Sequence, residues 1–138
     1  MERSARRKPP SRRWKQASSI SVVLICWVNN AGIFIPKAFS ASTEEDYNLV
    51  TNTNVASFFY MSQQVIPQMK KQNSGHVVNI SAVLADQPSG AAPALLAVLS
   101  KSPMPAVSKA LALEYAANNI RFNTVSPRQH QHADARQG

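Results

Sequence analysis

The chain is poor in the residue types that mark three common classes of protein. It has one cysteine, Cys26, which excludes an internal disulfide framework and predicts a reducing, cytoplasmic environment. No apolar run approaches the about 20 residues that a membrane-spanning helix needs, so we expect no membrane partner. Glycine is equally scarce, and no two of the four glycines are neighbours: they are Gly32, Gly75, Gly90 and Gly138. The sequence therefore lacks a glycine-rich turn of the kind that holds phosphate at the start of a helix.

Acidic residues are also few, seven against fifteen Lys and Arg, and the formal net charge is +8. Most of the excess lies in residues 1–15, where seven basic residues and one glutamate give +6. We predict that residues 1–19 form a basic, disordered arm, with a nucleic-acid patch, a nuclear signal or a transit peptide as alternatives. No ladder of aromatic residues supports a nucleic-acid groove, so we expect no nucleic-acid partner. Residues 128–138 are predicted to be a polar, disordered tail whose His130 and His132 do not bind a metal.

The most informative stretch, residues 75–127, has the pattern of a strand, a crossover helix and a second strand. Residues 76–81 are short and β-branched, and residues 120–125 alternate apolar and polar side chains. Between them, residues 102–117 carry apolar side chains at helical spacing. Two strands joined through a helix normally lie parallel with a right-handed crossover, so the sequence predicts an α/β chain.

An earlier strand is predicted at residues 20–28. This run is almost continuously apolar, as expected for a strand that is covered on both faces. It leads into the turn Asn-Asn-Ala-Gly at residues 29–32. At the carboxyl end of a parallel strand, small and amide residues allow a nucleotide to approach the backbone closely, although an ordinary turn has the same composition.

A helix is predicted over residues 43–71. Ser42 and Glu45 have the spacing of a capping box at its start. Its apolar stripe consists of Tyr47, Val50, Phe58, Val65 and Met69. Asn54 falls on the same stripe, where its amide must find hydrogen-bond partners. Pro67 removes a backbone donor and is expected to kink or end the last turns.

Four motifs within residues 27–127 resemble, in content and order, those of the short-chain dehydrogenase/reductase family. They are Asn-Asn-Ala-Gly at 29–32, Thr-Asn-Val at 53–55, a Gly-x-Val-Val-Asn-x-Ser strand at 75–81 and Ile-Arg-x-Asn-x-Val-x-Pro at 120–127. The resemblance implies a Rossmann-like, doubly wound parallel sheet over residues 20–127, truncated to about three neighbouring parallel strands with flanking helices. The first strands and the C-terminal substrate region of the family have no counterpart here.

The resemblance also implies a function and a set of site residues. Members of the family transfer hydride between NAD or NADP and a small-molecule alcohol or carbonyl compound. The residues at the family's cofactor-binding positions are Asn29, Ala31, Gly32, Lys101 and Pro127. Those at its catalytic positions are Asn54, Ser81 and Lys101. By this resemblance Lys101 contacts the nicotinamide ribose, and Asn54 holds a water molecule of the proton relay.

The chain departs from the family at the residues that move the proton. The family's tyrosine stands four residues before its lysine, and here that position is Ala97, which has no ionisable group. The family's serine position is occupied by Ala82. Ser81 is one place earlier, and because side chains alternate along a strand its hydroxyl is expected to point the other way.

The lysine is also in an altered setting, because Pro103 and Pro105 follow it closely. A proline inside a helix costs roughly 3 kcal/mol, so the helix is expected to begin after the lysine. This predicts Ser102 as the N-cap and leaves Lys101 just outside the helix.

We therefore predict a truncated and catalytically impaired oxidoreductase. The alternative is a non-catalytic module that forms homo-oligomers or associates with related subunits through the helices at 43–71 and 102–117, which match the family's association helices. Both edges of the resemblance are abrupt, which suggests foreign sequence at each end, as a frame shift or a truncated gene would produce. The free edge of the first strand would then be long and apolar.

Overall fold

A computed structural model describes residues 23–87, 90 and 93–127. The predicted arm at 1–19 and the predicted tail at 128–138 lie outside the described residues. Three strands form one sheet: β1 (Cys26–Asn29), β2 (Gly75–Ile80) and β3 (Ile120–Val125). Five α-helices accompany them: α1 (Glu44–Thr51), α2 (Ser57–Gln72), α3 (Val83–Asp86), α4 (Leu95–Lys101) and α5 (Met104–Glu114). Short 3-10 turns lie at Phe39–Ala41 and Ala116–Asn118, and a π-helical segment, Asn52–Ala56, joins α1 to α2.

The sheet is parallel, with β2 in the centre and β1 and β3 on either side. Asn29 at the end of β1 lies opposite Asn79, and Ile80 at the end of β2 lies opposite Val125. The carboxyl ends of the strands therefore meet at one edge. The α/β class, the parallel neighbours and the bounds of β3 predicted from the sequence are confirmed.

The first strand is shorter than predicted. Of the predicted residues 20–28, the first three lie outside the described residues, and pairing begins only at Cys26, which lies opposite His76. The reason is that Leu24 bonds elsewhere: its N–H donates to Gln72 Oε1 at 2.9 Å, and its carbonyl accepts from Gln72 Nε2 at 3.0 Å. The Gln72 side chain of α2 thus bonds both backbone groups of Leu24, as a neighbouring strand would.

One face of the sheet carries the core. Val77, Ile120 and Phe122 are buried against Ile66 and Met69 of α2. Packing is closest at Gly75, where a Cβ atom would lie 2.4 Å from the sulfur of Met69. Only glycine fits there without movement of the methionine.

The opposite face of the sheet is open in the part of the chain that the structure describes. Val28 of β1 and Val125 of β3 are 51% and 46% exposed, respectively. The prediction that the first strand is covered on both faces is therefore wrong for the described residues. An apolar strand sequence indicates two covered faces only where further elements supply the second layer.

The start of α1 differs from the prediction by one residue. Thr43, not Ser42, is the N-cap: its hydroxyl accepts from the Asp46 N–H at 3.2 Å, and Asp46 Oδ2 accepts from the Thr43 N–H at 2.9 Å. Asp46 also pairs with Lys37. This ammonium, followed by the Thr43 N–H, lowers the pKa of Asp46 to about 2. The capping box therefore forms between Thr43 and Asp46, whose carboxylate is paired with Lys37, and not between Ser42 and Glu45.

The helical stripe is only partly as predicted. Val65 and Met69 are fully buried and Val50 nearly so, but Tyr47 is exposed. The turn widens at Asn52–Ala56, and this π-helical segment changes which residues face the core after α1. Pro67 does not end α2, which continues to Gln72.

The region after β2 also differs from the prediction. Helix α4 (Leu95–Lys101) precedes the predicted helix, and Lys101 is its last residue instead of lying outside a helix. Ser102 is not an N-cap: its hydroxyl donates to the Ala85 carbonyl, and Pro103 occupies the cap of α5. The prolines are tolerated because the chain breaks between two helices, which places Pro105 among amides that need no partner.

The two candidate caps of α1 give a direct test. Thr43→Ala should lower the free energy of unfolding by about 1 kcal/mol, because the first-turn N–H of Asp46 loses the hydroxyl that accepts its hydrogen bond. Ser42→Ala is the matched control and should change it by less than about 0.5 kcal/mol, since the Ser42 hydroxyl only donates to the exposed Ala38 carbonyl. Urea unfolding followed by circular dichroism measures both. Equal losses, or a larger loss for Ser42→Ala, would contradict the assigned cap.

Candidate functional site

A small cavity lies at the carboxyl ends of β1 and β2. Its volume is about 70 Å³. Four of the predicted site residues line it: Asn29, Ala31, Asn54 and Lys101. The other lining residues are Trp27, Val28, Asn30, Ser57, Phe58, Met61, Ile80 and Met104. The parallel sheet brings these residues together because the ends of neighbouring strands share one edge.

The side-chain amide of Asn54 makes three hydrogen bonds. It is 2% exposed and lies in the π-helical segment. Its Oδ1 accepts from the Ile33 N–H at 2.8 Å, and its Nδ2 donates to the Ile33 carbonyl at 3.1 Å and to Ser100 Oγ at 2.8 Å. The amide thus links the loop after β1 to α4 through hydrogen bonds. The need for partners predicted from the sequence is met by protein groups alone.

The side chain of Lys101 packs against the turn after β1, at Ala31 and Gly32. Its Nζ donates to the Ile80 carbonyl at 2.9 Å and to the Ala31 carbonyl at 3.3 Å. A Cβ atom on Gly32 would lie 3.2 Å from both Cε and Nζ of this lysine, so glycine keeps the space open. The residue is 9% exposed, and burial lowers the pKa of its amine below the usual value of 10.5.

Asn29 belongs to a buried polar network. Its Nδ2 donates to Asn79 Oδ1 at 2.8 Å and to Ser62 Oγ at 3.2 Å, and its Oδ1 accepts from Trp27 Nε1 at 2.7 Å. Asn79 in turn donates to Ser108 Oγ at 2.7 Å. The amide of Asn29 is therefore engaged within the protein, although the residue lines the cavity.

The other three predicted residues do not line the cavity. Ser81 is buried, and its hydroxyl donates to the Lys101 carbonyl at 3.0 Å. Pro127 is exposed and follows the end of β3. Gly32, the remaining predicted residue, is exposed and contributes the close approach to Lys101.

No ionisable hydroxyl lines the cavity in the described part of the chain. Ala97 is buried in α4 and is not a lining residue. Tyr47 and Tyr60 are exposed on the earlier helices. Tyr115 lies at the end of α5, where a hydrogen bond with Glu114, followed by burial, raises the pKa of the phenol above its usual value of 10.0.

The prediction from sequence missed two residues that hold the site. Ser100 Oγ accepts from Asn54 and also donates to the Ala97 carbonyl at 3.1 Å. Asn79 lies on the covered face of β2 with Val77, two residues away. The period of two in the strand was available as a signal for Asn79, whereas nothing in the pattern indicates that Ser100 faces Asn54.

The described residues do not fit a whole dinucleotide. The cavity of about 70 Å³ is small beside the about 300–1,000 Å³ of most ligand pockets. The Nζ of Lys101 and the amide of Asn29 already have protein partners. The described residues form only the inner corner of a site, which is the part lined by Asn29, Ala31, Asn54 and Lys101.

The comparison with protein families agrees with the fold and the motifs. The sequence profile described as short chain dehydrogenase matches residues 14–136, a wider range than the motifs at 27–127. The chain therefore belongs to the short-chain dehydrogenase family, whose members are oxidoreductases. None of the helices in residues 23–87, 90 and 93–127 is long and apolar enough to cross a membrane.

Curated relatives match about 100 residues of the chain. A tropinone reductase homolog of Arabidopsis thaliana is 39% identical over 100 residues, which are 72% of this chain and 36% of the relative. A 3-oxoacyl-(acyl-carrier-protein) reductase of Chlamydia pneumoniae is 36% identical over 100 residues, 72% of this chain and 40% of the relative. The chain thus spans well under half the length of the curated relatives it matches.

Solved structures share the fold. A short-chain dehydrogenase/reductase from Burkholderia xenovorans superposes with a TM-score of 0.77 at 28% identity, over 84% of this chain and 46% of that one. A gluconate 5-dehydrogenase from Burkholderia cenocepacia, in complex with NADP and tartrate, also gives 0.77, at 20% identity over 83% and 44%. The second likeness shows the fold alone.

The bonds of Asn54 predict a large loss of stability on substitution. Asn54→Leu keeps the size but leaves the N–H and carbonyl of Ile33 without partners, so the free energy of unfolding should fall by about 2–4 kcal/mol. Asn52→Leu, at an exposed position of the same π-helical segment, should change it by less than about 0.5 kcal/mol. Urea unfolding of the two variants measures the difference. A similar effect at both positions would show that the bonds of Asn54 contribute little.

Proposed function

We propose that the chain is, by descent, an NAD- or NADP-dependent oxidoreductase of alcohols and carbonyl compounds whose hydride-transfer activity is impaired. The observation that carries this proposal is the cavity itself. It brings together Asn54 and Lys101 but no tyrosine in the described part of the chain. The position that the family resemblance assigns to that tyrosine is Ala97.

The chemical reason is that reduction of a carbonyl compound requires a proton donor. When a carbonyl compound is reduced, its oxygen must receive a proton from a group whose pKa is close to the working pH. A phenol has a pKa near 10 and needs a neighbouring cation to lower it. Here Lys101 can supply the cation, but no phenol lines the cavity in the described part of the chain. The Ser81 hydroxyl does not replace it, since it is already bonded to the Lys101 carbonyl.

The proposal extends to the cofactor and to the remaining predicted roles. Binding of NAD or NADP by this chain is proposed to be weak, because the described residues form only the inner corner of a dinucleotide site. Within that corner, Lys101 would approach the ribose and Gly32 would allow close contact with the backbone. A cytoplasmic location also remains a proposal, resting on the single cysteine.

Titration of the purified full chain with NADH and with NADPH, followed by fluorescence, tests this function. We expect no saturable binding in the micromolar range, and no consumption of either cofactor with a small ketone or aldehyde. Saturable micromolar binding that Lys101→Met abolishes, and that Lys109→Met on the exposed side of α5 leaves unchanged, would contradict the proposal. Turnover that Ser81→Ala removes would contradict the assignment of Ser81 as a structural hydroxyl.

A second candidate function is association with another subunit through helices. A groove of about 840 Å³ lies between α2 and α5. Its apolar lining includes Phe59, Ile66, Val107 and Leu111, with Lys70 among its charged residues. Phe59 is 51% exposed, so about half of this large apolar side chain is accessible to a partner. This groove favours a non-catalytic module that forms homo-oligomers or associates with related subunits.

The groove predicts a concentration-dependent oligomer. Phe59→Glu places a carboxylate in the apolar lining of the groove and should weaken association by about tenfold or more. Leu113→Glu is the matched control: Leu113 is 82% exposed on α5 but does not line the groove. Sedimentation velocity over a range of concentrations measures both variants. A chain that stays monomeric at all concentrations, or equal weakening by both variants, would exclude the groove as the interface.

A further inference from the structure

The outer edge of β1 carries backbone groups without hydrogen-bond partners among the described residues. On the inner side, the Ile25 carbonyl, just before β1, accepts from the His76 N–H at 3.0 Å. Backbone groups of successive strand residues point to alternate sides, so those of Cys26 and Val28 point away from β2. No group of the described residues bonds to them there. This edge is therefore open to a further strand.

The open edge is short. Leu24, the preceding residue that points outward, has both backbone groups bonded to the Gln72 side chain, at 2.9 and 3.0 Å. At its other end β1 stops at Asn29. The free groups are thus confined to the segment Cys26–Val28, which has a donor and an acceptor on each of its end residues and Trp27 in the centre.

The edge of β1 has none of the features that commonly keep edge strands from pairing. Such strands are usually protected by charged side chains, proline or a bulge. Residues 23–29 contain neither a charged residue nor a proline. The other edge strand, β3, carries the exposed Arg121. Two copies of β1 can therefore approach each other without repulsion between like charges.

We propose that β1 pairs antiparallel with β1 of a second copy of this chain, around a two-fold axis at Trp27. In an antiparallel pair, opposite residues of the hydrogen-bonded kind exchange both N–H···O bonds. With Cys26 opposite Val28 of the partner subunit, the same exchange occurs twice. All the free groups of both segments are then used. A two-fold contact requires a surface that is complementary to itself, and this segment meets that requirement.

The pairing would extend the sheet across both copies, in the strand order β3-β2-β1-β1-β2-β3. Trp27, which packs against the core, would meet Trp27 of the partner subunit in the closer, non-hydrogen-bonded kind of pair. The groove between α2 and α5 has no lining residue from β1. This contact is therefore separate from the groove and goes beyond both proposed functions.

The test is disulfide cross-linking between two forms of the full chain. The unaltered chain is mixed with the double variant Cys26→Ser, Val28→Cys and exposed to oxidised glutathione. The proposed register places the two thiol-bearing residues opposite each other, with Cα atoms about 5.5 Å apart, which a disulfide can span. In homodimers of either form the cysteines lie on a diagonal of about 7–8 Å. The heterodimer should therefore form at least about tenfold faster than either homodimer, as measured by mass spectrometry without reductant.

The matched control is the double variant Cys26→Ser, Val125→Cys. Val125 is 46% exposed on the same open face of the sheet but belongs to β3. Mixed with the unaltered chain, this variant should cross-link no faster than the homodimers. Equal rates for the two double variants, or a heterodimer that forms no faster than the homodimers, would overturn the proposed register.

A second measurement separates this contact from the groove. The Phe59→Glu chain, whose groove is altered, should still form a dimer in sedimentation equilibrium. Adding Val28→Pro removes an outward N–H without touching the bonds to β2 and should weaken that dimer about tenfold or more. Adding Val28→Thr keeps the N–H and should leave it unchanged. A Phe59→Glu chain that is monomeric at all concentrations would contradict the proposal, even if the proline variant does not fold.

Discussion

The side-chain amide of Asn54 joins three segments of the chain that are distant in sequence. It bonds to both backbone groups of Ile33 in the loop after β1, and to Ser100 in α4. Because Lys101 follows Ser100 directly, this amide also fixes how far the lysine lies from the turn at Gly32. The cavity lies between the turn after β1, Asn54 and Lys101. The widening of the helix at Asn52–Ala56 belongs to the same arrangement, since Asn54 lies within it.

A second set of polar groups holds the covered face of the sheet. Asn29, Asn79 and Ser108 are linked by hydrogen bonds of 2.7–2.8 Å across β1, β2 and α5. Polar groups in a core are costly unless every partner is present, and no buried side-chain nitrogen or oxygen of the described residues lacks one. The network therefore fixes the register of the strands as well as their packing. It also explains why Asn29, which the family resemblance assigns to the cofactor, has an amide that is already engaged.

Much of the architecture could be predicted from the sequence, because it depends on local patterns. The alternation of residues 120–125 gave the bounds of β3, since Ile120 and Phe122 are buried and Arg121 and Asn123 are exposed. The start of α1 could not be placed from pattern alone. Ser42 and Thr43 both have an acidic residue three positions on, and the choice depends on Lys37, which the fold brings to Asp46.

The site was less predictable for a related reason. The residue types at Asn54 and Lys101 were recognisable, but their bonding depends on carbonyl groups that any residue could supply. The two prolines after Lys101 predicted a helix start, and the structure contains in addition a helix that ends at this lysine. The propensity of proline predicted the break between Lys101 and Met104 but not helix α4, which precedes the break.

The central position of β2 has a consequence for how the molecule opens. Among the described strands it alone has hydrogen bonds to a neighbour on each side, whereas β1 contributes four residues at an edge. Amide protons of β2 should therefore exchange with solvent only when the whole sheet comes apart. Those of β1 can exchange through local detachment, and each such event would carry Asn29 and the loop to Gly32 away from Lys101. The cavity would thus be one of the first features lost during partial unfolding, well before the core of Val77 and Phe122.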